Sequence, residues 1–341
     1  MENIGKKREK TQKTQKTQKT QKTQRDQLDF PVEKGEFVRW ESQFRNWVTI
    51  DGSAGPTGID GFKAESGRYH LYVSHACPWA HRTLIYRKLK KLEDIISVSV
   101  VNPKMGSISW DFDEYPGATG DTLYGAKNLQ DIYDKAAGKY DGVVTVPVLW
   151  DKKKETIVNN ESSEIIRMLN SAFNQINGCG EDYYPRALQA DIDEVNQFVY
   201  DNINNGVYKT GFAKTQQAYE KAFDSLFQAL NTIEKRLAGS RFLVGDQFTE
   251  ADLRLFPTLI RFDSVYVGHF KCNFKRIDDY ENLSNYLREI YQMPGIADTV
   301  NMDHIKTHYY WSHTSINPTR IVPKGPDIDY NSSFERKLNL A

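Results

Sequence analysis

The sequence predicts a small mixed α/β domain followed by an all-α domain, and three features carry that expectation. An alternating, aromatic-rich run at residues 69–74 is followed by a helical stretch opening on Pro78 and a β-branched run at 95–101, which together read as a β-α-β unit. Residues 143–159 then read as two strands around a charged turn. After Pro185, apolar residues recur at three- and four-residue spacing almost to the end. The 341 residues suffice for two domains of ordinary size.

Taken in order, residues 10–24 repeat Lys-Thr-Gln five times and offer nothing apolar to bury, so residues 1–28 are expected to form a disordered tail. A solvated extension is the simple reading of it, and a basic docking arm the other. Residues 29–68 are an N-terminal extension and 69–175 the α/β domain. Within that domain, Pro78 suits the first turn of a helix reaching about Leu92. Residues 102–142, rich in Gly, Asp, Tyr and Pro, read as a long loop with irregular helix. A strand region broken by Pro147 covers 143–150, Lys152, Lys154 and Glu155 mark the hairpin turn, and 156–159 is a short strand. An amphipathic helix is expected over 162–173. The all-α domain spans 185–312, with helices at 191–200, 216–237 and 282–291. Thr249-Glu-Ala-Asp252 is a capping-box signal before the helix at 253–259. Residues 313–341 form an extended C-terminal tail.

Composition excludes several classes of function. Hydrophobic residues are 39% and charged residues 26%, as in soluble globular proteins, and no apolar run reaches the roughly 20 residues of a membrane span. The formal net charge of zero hides nine Lys/Arg against three Asp/Glu in residues 1–28. The rest is mildly acidic, so nucleic acid is not an expected partner. Three cysteines, Cys77, Cys179 and Cys272, make no disulfide framework and suit a reducing compartment. With no secretory or transit signal in the N-terminal residues, cytoplasm is expected. The seven histidines show no zinc spacing, so no metal site is expected.

The chemistry concentrates at Cys77. It lies between a strand and a helix that begins at Pro78, where free N–H groups and positive potential stabilise a thiolate. His75, His81 and Arg82 are candidates for further positive charge. A lone cysteine is more often a buried, inert residue; the strand–Cys-Pro–helix context sets this one apart. Three positions on stands Ala80, not a second cysteine, so a mixed disulfide on Cys77 needs an external thiol such as glutathione. Val146-Pro147 is either a cis bond that frees the Val146 backbone for an extended peptide or an ordinary edge-strand proline. Ser162 is a good N-cap for the following helix, whose N–H groups can hold a carboxylate, and Glu161 can pair with an α-amino group. Together these suit a γ-glutamyl group, although each alone is also plain capping.

These residues resemble a known family. Cys77-Pro-Trp-Ala-His-Arg82, Val144-Thr-Val-Pro-Val148 and Asn160-Glu-Ser162 look like a glutathione transferase, and more closely like its Xi class, the glutathionyl-hydroquinone reductases. Trp110-Asp-Phe112, Asn205-Gly-Val-Tyr-Lys209, Phe262-Asp-Ser-Val-Tyr266, His308-Tyr-Tyr-Trp-Ser-His313, Ile316-Asn-Pro318 and Ile321-Val-Pro323 extend the resemblance from about residue 37 to 326.

The resemblance implies a thioredoxin-like N-terminal domain, a helical C-terminal domain and a homodimer. It implies glutathione as cosubstrate, no bound cofactor, and aromatic quinol conjugates of glutathione as substrates. Cys77 becomes the nucleophile and Tyr208 the general acid, with Tyr266 and Tyr309 hydrogen-bonding at the thiol. Trp110, Val143, Val144, Thr145, Val146, Glu161 and Ser162 become the glutathione site. The chain departs from the family at Val143, where relatives often carry arginine; Lys127 or Arg82 is a candidate substitute. The implied reaction is attack of Cys77 on a glutathionyl-hydroquinone, proton delivery by Tyr208, and release of glutathione disulfide by a second glutathione. A broader Omega-like thioltransferase or dehydroascorbate reductase, a conjugating transferase and a non-catalytic interaction module are the competing readings.

Overall fold

The computed structural model describes residues 32–335, so the Lys-Thr-Gln tail lies outside the described residues. The N-terminal extension is not featureless. Strands β1 (Val32–Glu33) and β2 (Glu36–Phe37) form an antiparallel hairpin, and β3 (Trp47–Thr49) pairs in parallel with β4 (Gly61–Lys63). Such two- and three-residue strands are too short to leave a periodic signal in the sequence.

The main sheet uses β5 (Tyr69–Val73), β6 (Ser97–Val100), β7 (Val148–Asp151) and β8 (Thr156–Asn159), in the order β6-β5-β7-β8. β5 runs parallel to β6 and antiparallel to β7, and β7 is antiparallel to β8. Helix α1 (Pro78–Leu89) makes the crossover between the two parallel strands. Every residue of β5 is buried, as expected of a strand covered on both faces. Inside the long loop, Asn128 and Asp131 form a capping box that starts α2 (Leu129–Ala137). Helix α3 (Ser162–Ser171) follows β8 and packs beside α1; the short α4 (Asn174–Asn177) closes the segment.

The predicted strand over 143–150 is shorter than expected. Pairing begins only at Val148, because the Val146–Pro147 peptide is cis and proline has no N–H for the ladder. The preceding residues run past the sheet edge, where the Tyr133 hydroxyl donates to the Thr145 carbonyl (2.9 Å).

The helical part comprises α5 (Gln189–Val199), α6 (Gly206–Gly211), α7 (Gln216–Gly239), α8 (Glu250–Arg261), α9 (Glu281–Tyr291) and α10 (Met302–Thr307). The capping box at Thr249 and Asp252 forms as the sequence indicates. Three five-residue π-helical segments, Tyr200–Asn204, Phe262–Tyr266 and His308–Ser312, extend α5, α8 and α10. Nothing in residue spacing announced them, and π-turns recur at functional sites because the extra residue re-aims the side chains after it. At Gly211 a Cβ would fall 2.2 Å from the Phe270 ring, so only glycine lets that ring close on α6. No described helix is long and apolar enough to cross a membrane.

Candidate active site

Cys77 is the N-cap of α1, with extended backbone angles (φ −75°, ψ 121°). The first-turn N–H groups of Trp79 and Ala80 point at its sulfur and favour the thiolate. The thiol itself donates to the Val146 carbonyl across 3.5 Å, which places the cis Val146–Pro147 bond against the cysteine. Of the two readings of that proline, the cis form is the one found. In the free site burial outweighs the helix terminus and holds the thiol above its ordinary range, while the nearby Arg261 and Arg39 guanidinium groups pull it down.

Those two arginines, not the expected residues, supply the positive charge. Burial holds His75 down to about 4 and His81 well below its ordinary value, so both are neutral at pH 7. Arg82 is lowered to about 9 by burial and stays charged, but it is spent on the Asn204 side chain (2.9 Å) and lies over Trp79 (4.6 Å). Arg261, fully buried at the end of α8, reaches across to the turn before the cysteine. Its Nε donates to the Ala76 carbonyl (2.8 Å), Nη2 to the His75 carbonyl (2.8 Å), and Nη1 to His81 Nδ1 (3.0 Å) and the Pro257 carbonyl (2.8 Å).

Cys77 opens onto a cavity of about 520 Å³. Trp110, Val143, Val144, Thr145, Val146, Glu161, Ser162, Tyr208 and Tyr309 all line it. Tyr266 does not: it is fully buried behind Tyr309, to whose hydroxyl its own lies 3.2 Å away. The Tyr208 and Tyr309 hydroxyls are 2.7 Å apart, so the three phenols form a chain. The hydrogen bond of the Cys77 thiol goes to Val146 rather than to this chain. Burial raises all three phenol pKa values. Tyr309 is the member of the Tyr309-Tyr310 pair that faces the cavity; the Tyr310 hydroxyl donates to the Ser264 carbonyl (3.4 Å).

The helix cap is Glu161, not Ser162. Its carboxylate accepts from the Ser163 N–H (3.0 Å) and hydroxyl (2.9 Å) and from the Ser42 hydroxyl (3.1 Å). Burial alone would raise its pKa; these hydrogen bonds and the charge of Arg82 outweigh it and hold Glu161 ionised. Trp110 stacks on His308 with ring centres 4.5 Å apart. Neither Lys127 nor Arg82 is among the residues that line the cavity. Among the described residues no group of three His, Cys, Asp or Glu side chains is placed to hold a metal ion.

Sequence reasoning missed Arg39, Arg261, His308 and Ser42. Arg39 and Ser42 lie in an extension with no periodic pattern, and Arg261 ends an amphipathic helix where a cation is ordinary. His308 sits inside the His308–His313 motif, where nothing in the sequence sets it apart from its tyrosine neighbours.

Known proteins share this arrangement. Residues 76–172 match the family "Glutathione S-transferase, N-terminal domain" and residues 216–289 the family "Glutathione S-transferase, C-terminal domain". The chain is 60% identical over 307 residues to glutathionyl-hydroquinone reductase YqjG of Escherichia coli K12, covering 90% of this chain and 94% of that protein. It is 52% identical to glutathionyl-hydroquinone reductase PcpF of Sphingobium chlorophenolicum, covering 86% and 90%. The glutathione-bound structure of YqjG superposes with a TM-score of 0.84 over 85% of this chain and 95% of that one. The Xi glutathione S-transferase of Phanerochaete chrysosporium, 54% identical, superposes with the same score over 90% and 98%.

Proposed function

The chain belongs to the glutathione S-transferase family, in its Xi class, and on that premise we propose that it is a glutathionyl-hydroquinone reductase working through Cys77. The observation that carries this reading is a single cavity lined by a lone nucleophilic cysteine at a helix N-terminus and a buried phenol, Tyr208.

The Cys77 thiolate attacks the sulfur of a glutathionyl-hydroquinone. The sulfur–carbon bond breaks and its electron pair stays with the ring, whose carbon takes a proton from Tyr208. A Cys77–glutathione disulfide is left. A second glutathione attacks it, releasing glutathione disulfide and the thiolate. The ring carbon is reduced by two electrons, supplied one each by the thioether sulfur and the sulfur of one thiol as they join in a disulfide, so no further redox partner is needed. A phenol, with its high pKa, keeps its proton at neutral pH and can still donate it to the sulfur-bearing ring carbon.

Glutathione lies with its γ-glutamyl group at Glu161 and Ser162, its cysteinyl part along Val146 and Trp110 against it. The ionised Glu161 suits the α-amino group, and the backbone N–H and hydroxyl of Ser162 at the start of α3 suit the α-carboxylate. The first-turn N–H groups beside Cys77 oppose its burial in part, and expulsion of water by the bound tripeptide strengthens them. A homodimer and a cytoplasmic location complete the reading. Three free cysteines and a glutathione requirement both suit a reducing compartment.

The test is steady-state release of hydroquinone from glutathionyl-hydroquinone plus glutathione, wild type against Cys77→Ala. The reading requires turnover by the wild type and none by the variant. Turnover surviving in Cys77→Ala overturns it, as does a wild type that conjugates glutathione to chlorodinitrobenzene but leaves the hydroquinone adduct untouched.

A further inference from the structure

Arg39 is a cation with its Nε fixed and its side chain lining the cavity. Its Nε donates to the Asn205 side-chain oxygen across 2.6 Å. Nη2 is buried and has no hydrogen-bond partner among the described residues, and no acid there forms a salt bridge with it. The guanidinium carbon lies 4.5 Å from the Trp79 ring centre and 4.9 Å from that of Tyr208. Arg39, Trp79, Tyr208 and Cys77 all line the same cavity. Asn205 stands three residues before Tyr208 and caps the helix that carries it, so cation and phenol are held as one unit.

An unpaired, half-buried guanidinium costs desolvation and calls for an anion. The thiolate is one candidate, and Arg39 does favour its ionisation. The reaction supplies another. Protonating the sulfur-bearing carbon of a hydroquinone is easiest when the adjacent phenol ionises, because the ring then becomes a ketone rather than a cation. When Cys77 takes the sulfur, the electron pair of the broken sulfur–carbon bond flows through the ring and restores that phenolate. Negative charge thus appears on one oxygen before carbon protonation and again after sulfur transfer. A fixed donor in a low-dielectric cavity is worth most where charge develops.

We propose that Arg39 is a catalytic residue for the hydroquinone half-reaction, binding the phenolic oxygen next to the thioether and stabilising its negative charge. This rests on the reductase reading above. It makes Arg39 the residue that selects aromatic conjugates bearing an ortho hydroxyl over simple disulfides. The phenol proton leaves to solvent and returns to the released hydroquinone, and Tyr208 is reprotonated from solvent, so the step balances.

The experiment compares two reactions in Arg39→Met and Arg39→Lys: reduction of glutathionyl-hydroquinone, and glutathione-dependent reduction of 2-hydroxyethyl disulfide, which has no phenol. Any change in Cys77 ionisation scales both rates and cancels in their ratio. The proposal requires the ratio of kcat/KM values to fall at least about a hundredfold in Arg39→Met, the lower end of the range seen when one oxyanion donor is removed, and to recover in part in Arg39→Lys. A chlorinated hydroquinone adduct, whose phenol is more acidic, loses less. Equal losses in both reactions would mean that Arg39 only supports the packing of Tyr208 and Trp79 or the thiol, and would overturn the proposal. A KM for glutathione raised alike in both would assign Arg39 to a glutathione carboxylate and overturn it too. A wild type that reduces the disulfide but not the hydroquinone adduct defeats the reductase reading itself, a distinguishable outcome.

Discussion

The hydroxyl oxygens of Tyr208 and Tyr309 lie 2.7 Å apart, although the two residues are separated by 101 positions and arrive on different helices. Tyr208 follows the π-segment Tyr200–Asn204, and Tyr309 lies within the π-segment His308–Ser312. With Tyr266 they form a line of phenols that leads from the cavity into the interior, and on the proposed mechanism Tyr309 is the neighbour that returns a proton to Tyr208.

Removing that proton separates the two halves of the chemistry. Tyr208→Phe is expected to lower kcat for glutathionyl-hydroquinone by about 10²–10⁴-fold, the usual worth of a positioned general acid. Reduction of 2-hydroxyethyl disulfide, which protonates no carbon, should change little. Stopped-flow measurement of the first half-reaction checks it; an intact hydroquinone rate would remove Tyr208 from the role. Tyr309→Phe leaves the proton in place but cuts its replacement, so the loss should be smaller.

Only one of the three cysteines is built to react. Cys77 faces the cavity, whereas Cys272 is fully buried with its thiol pushed far up, and Cys179 is buried and donates to Glu181 across 2.9 Å. Native protein exposed to glutathione disulfide should gain one glutathionyl group, located on Cys77 by peptide mass spectrometry, and Cys77→Ala should gain none. A second adduct on the folded protein would contradict the burial of the other two.

What the sequence made legible was whatever local chemistry writes into neighbouring residues. The Cys77-Pro78 helix start, the Thr249–Asp252 capping box and the 152–155 hairpin turn all follow from side chains bonding to backbone within a few positions. The cis form of Val146–Pro147 stayed undecided because the contact with Cys77 that goes with it comes from 69 residues away. Arg261 was illegible for the same reason: its partners, the His75 and Ala76 carbonyls, lie 186 and 185 positions back. The expectation that His75 and His81 add charge failed because burial depth, which sequence does not state, decides whether a histidine is protonated.

Arg261 stitches α8 to the turn that presents the nucleophile. Arg261→Met leaves the His75, Ala76 and Pro257 carbonyls without this donor. At about 1–3 kcal/mol for each buried acceptor left unsatisfied, stability should fall by roughly 3 kcal/mol or more. The same change withdraws positive charge from Cys77, so the pH midpoint for alkylation by iodoacetamide should move up. A variant that loses stability with no change in that midpoint would make Arg261 a purely structural residue. Arg261→Lys keeps the charge and should hold the midpoint nearer its original place.

Val143 borders the cavity at the position where the family resemblance leads one to expect arginine. Val143→Arg would add one partly exposed charge pair with a glutathione carboxylate, on the order of 0–1 kcal/mol. The KM for glutathione should therefore fall by no more than about fivefold, with kcat unchanged. A rise in KM would show that the present backbone path past Val143 has no room for the longer side chain.

All seven histidines lie among the described residues, and burial lowers the pKa of every one. His70, His75 and His308 fall to about 4 and His269 to about 3. A histidine depressed in the folded state binds fewer protons than the unfolded chain between those values and 6.5, so stability rises with pH across that window. Each such histidine adds a slope of up to about 1.4 kcal/mol per pH unit. His75, the one that is not fully buried, should contribute less because water screens it. Stability is therefore expected to be flat above pH 7 and to collapse between about pH 6 and 4.5, before most carboxylates titrate. Urea unfolding followed at half-unit intervals checks this. His308→Gln should reduce the slope by about one proton if it leaves the Trp110 stack in place; an unfolding free energy that stays level from pH 7 to 5 would mean that the interior accepts protons, and that the buried histidines find partners on acidification.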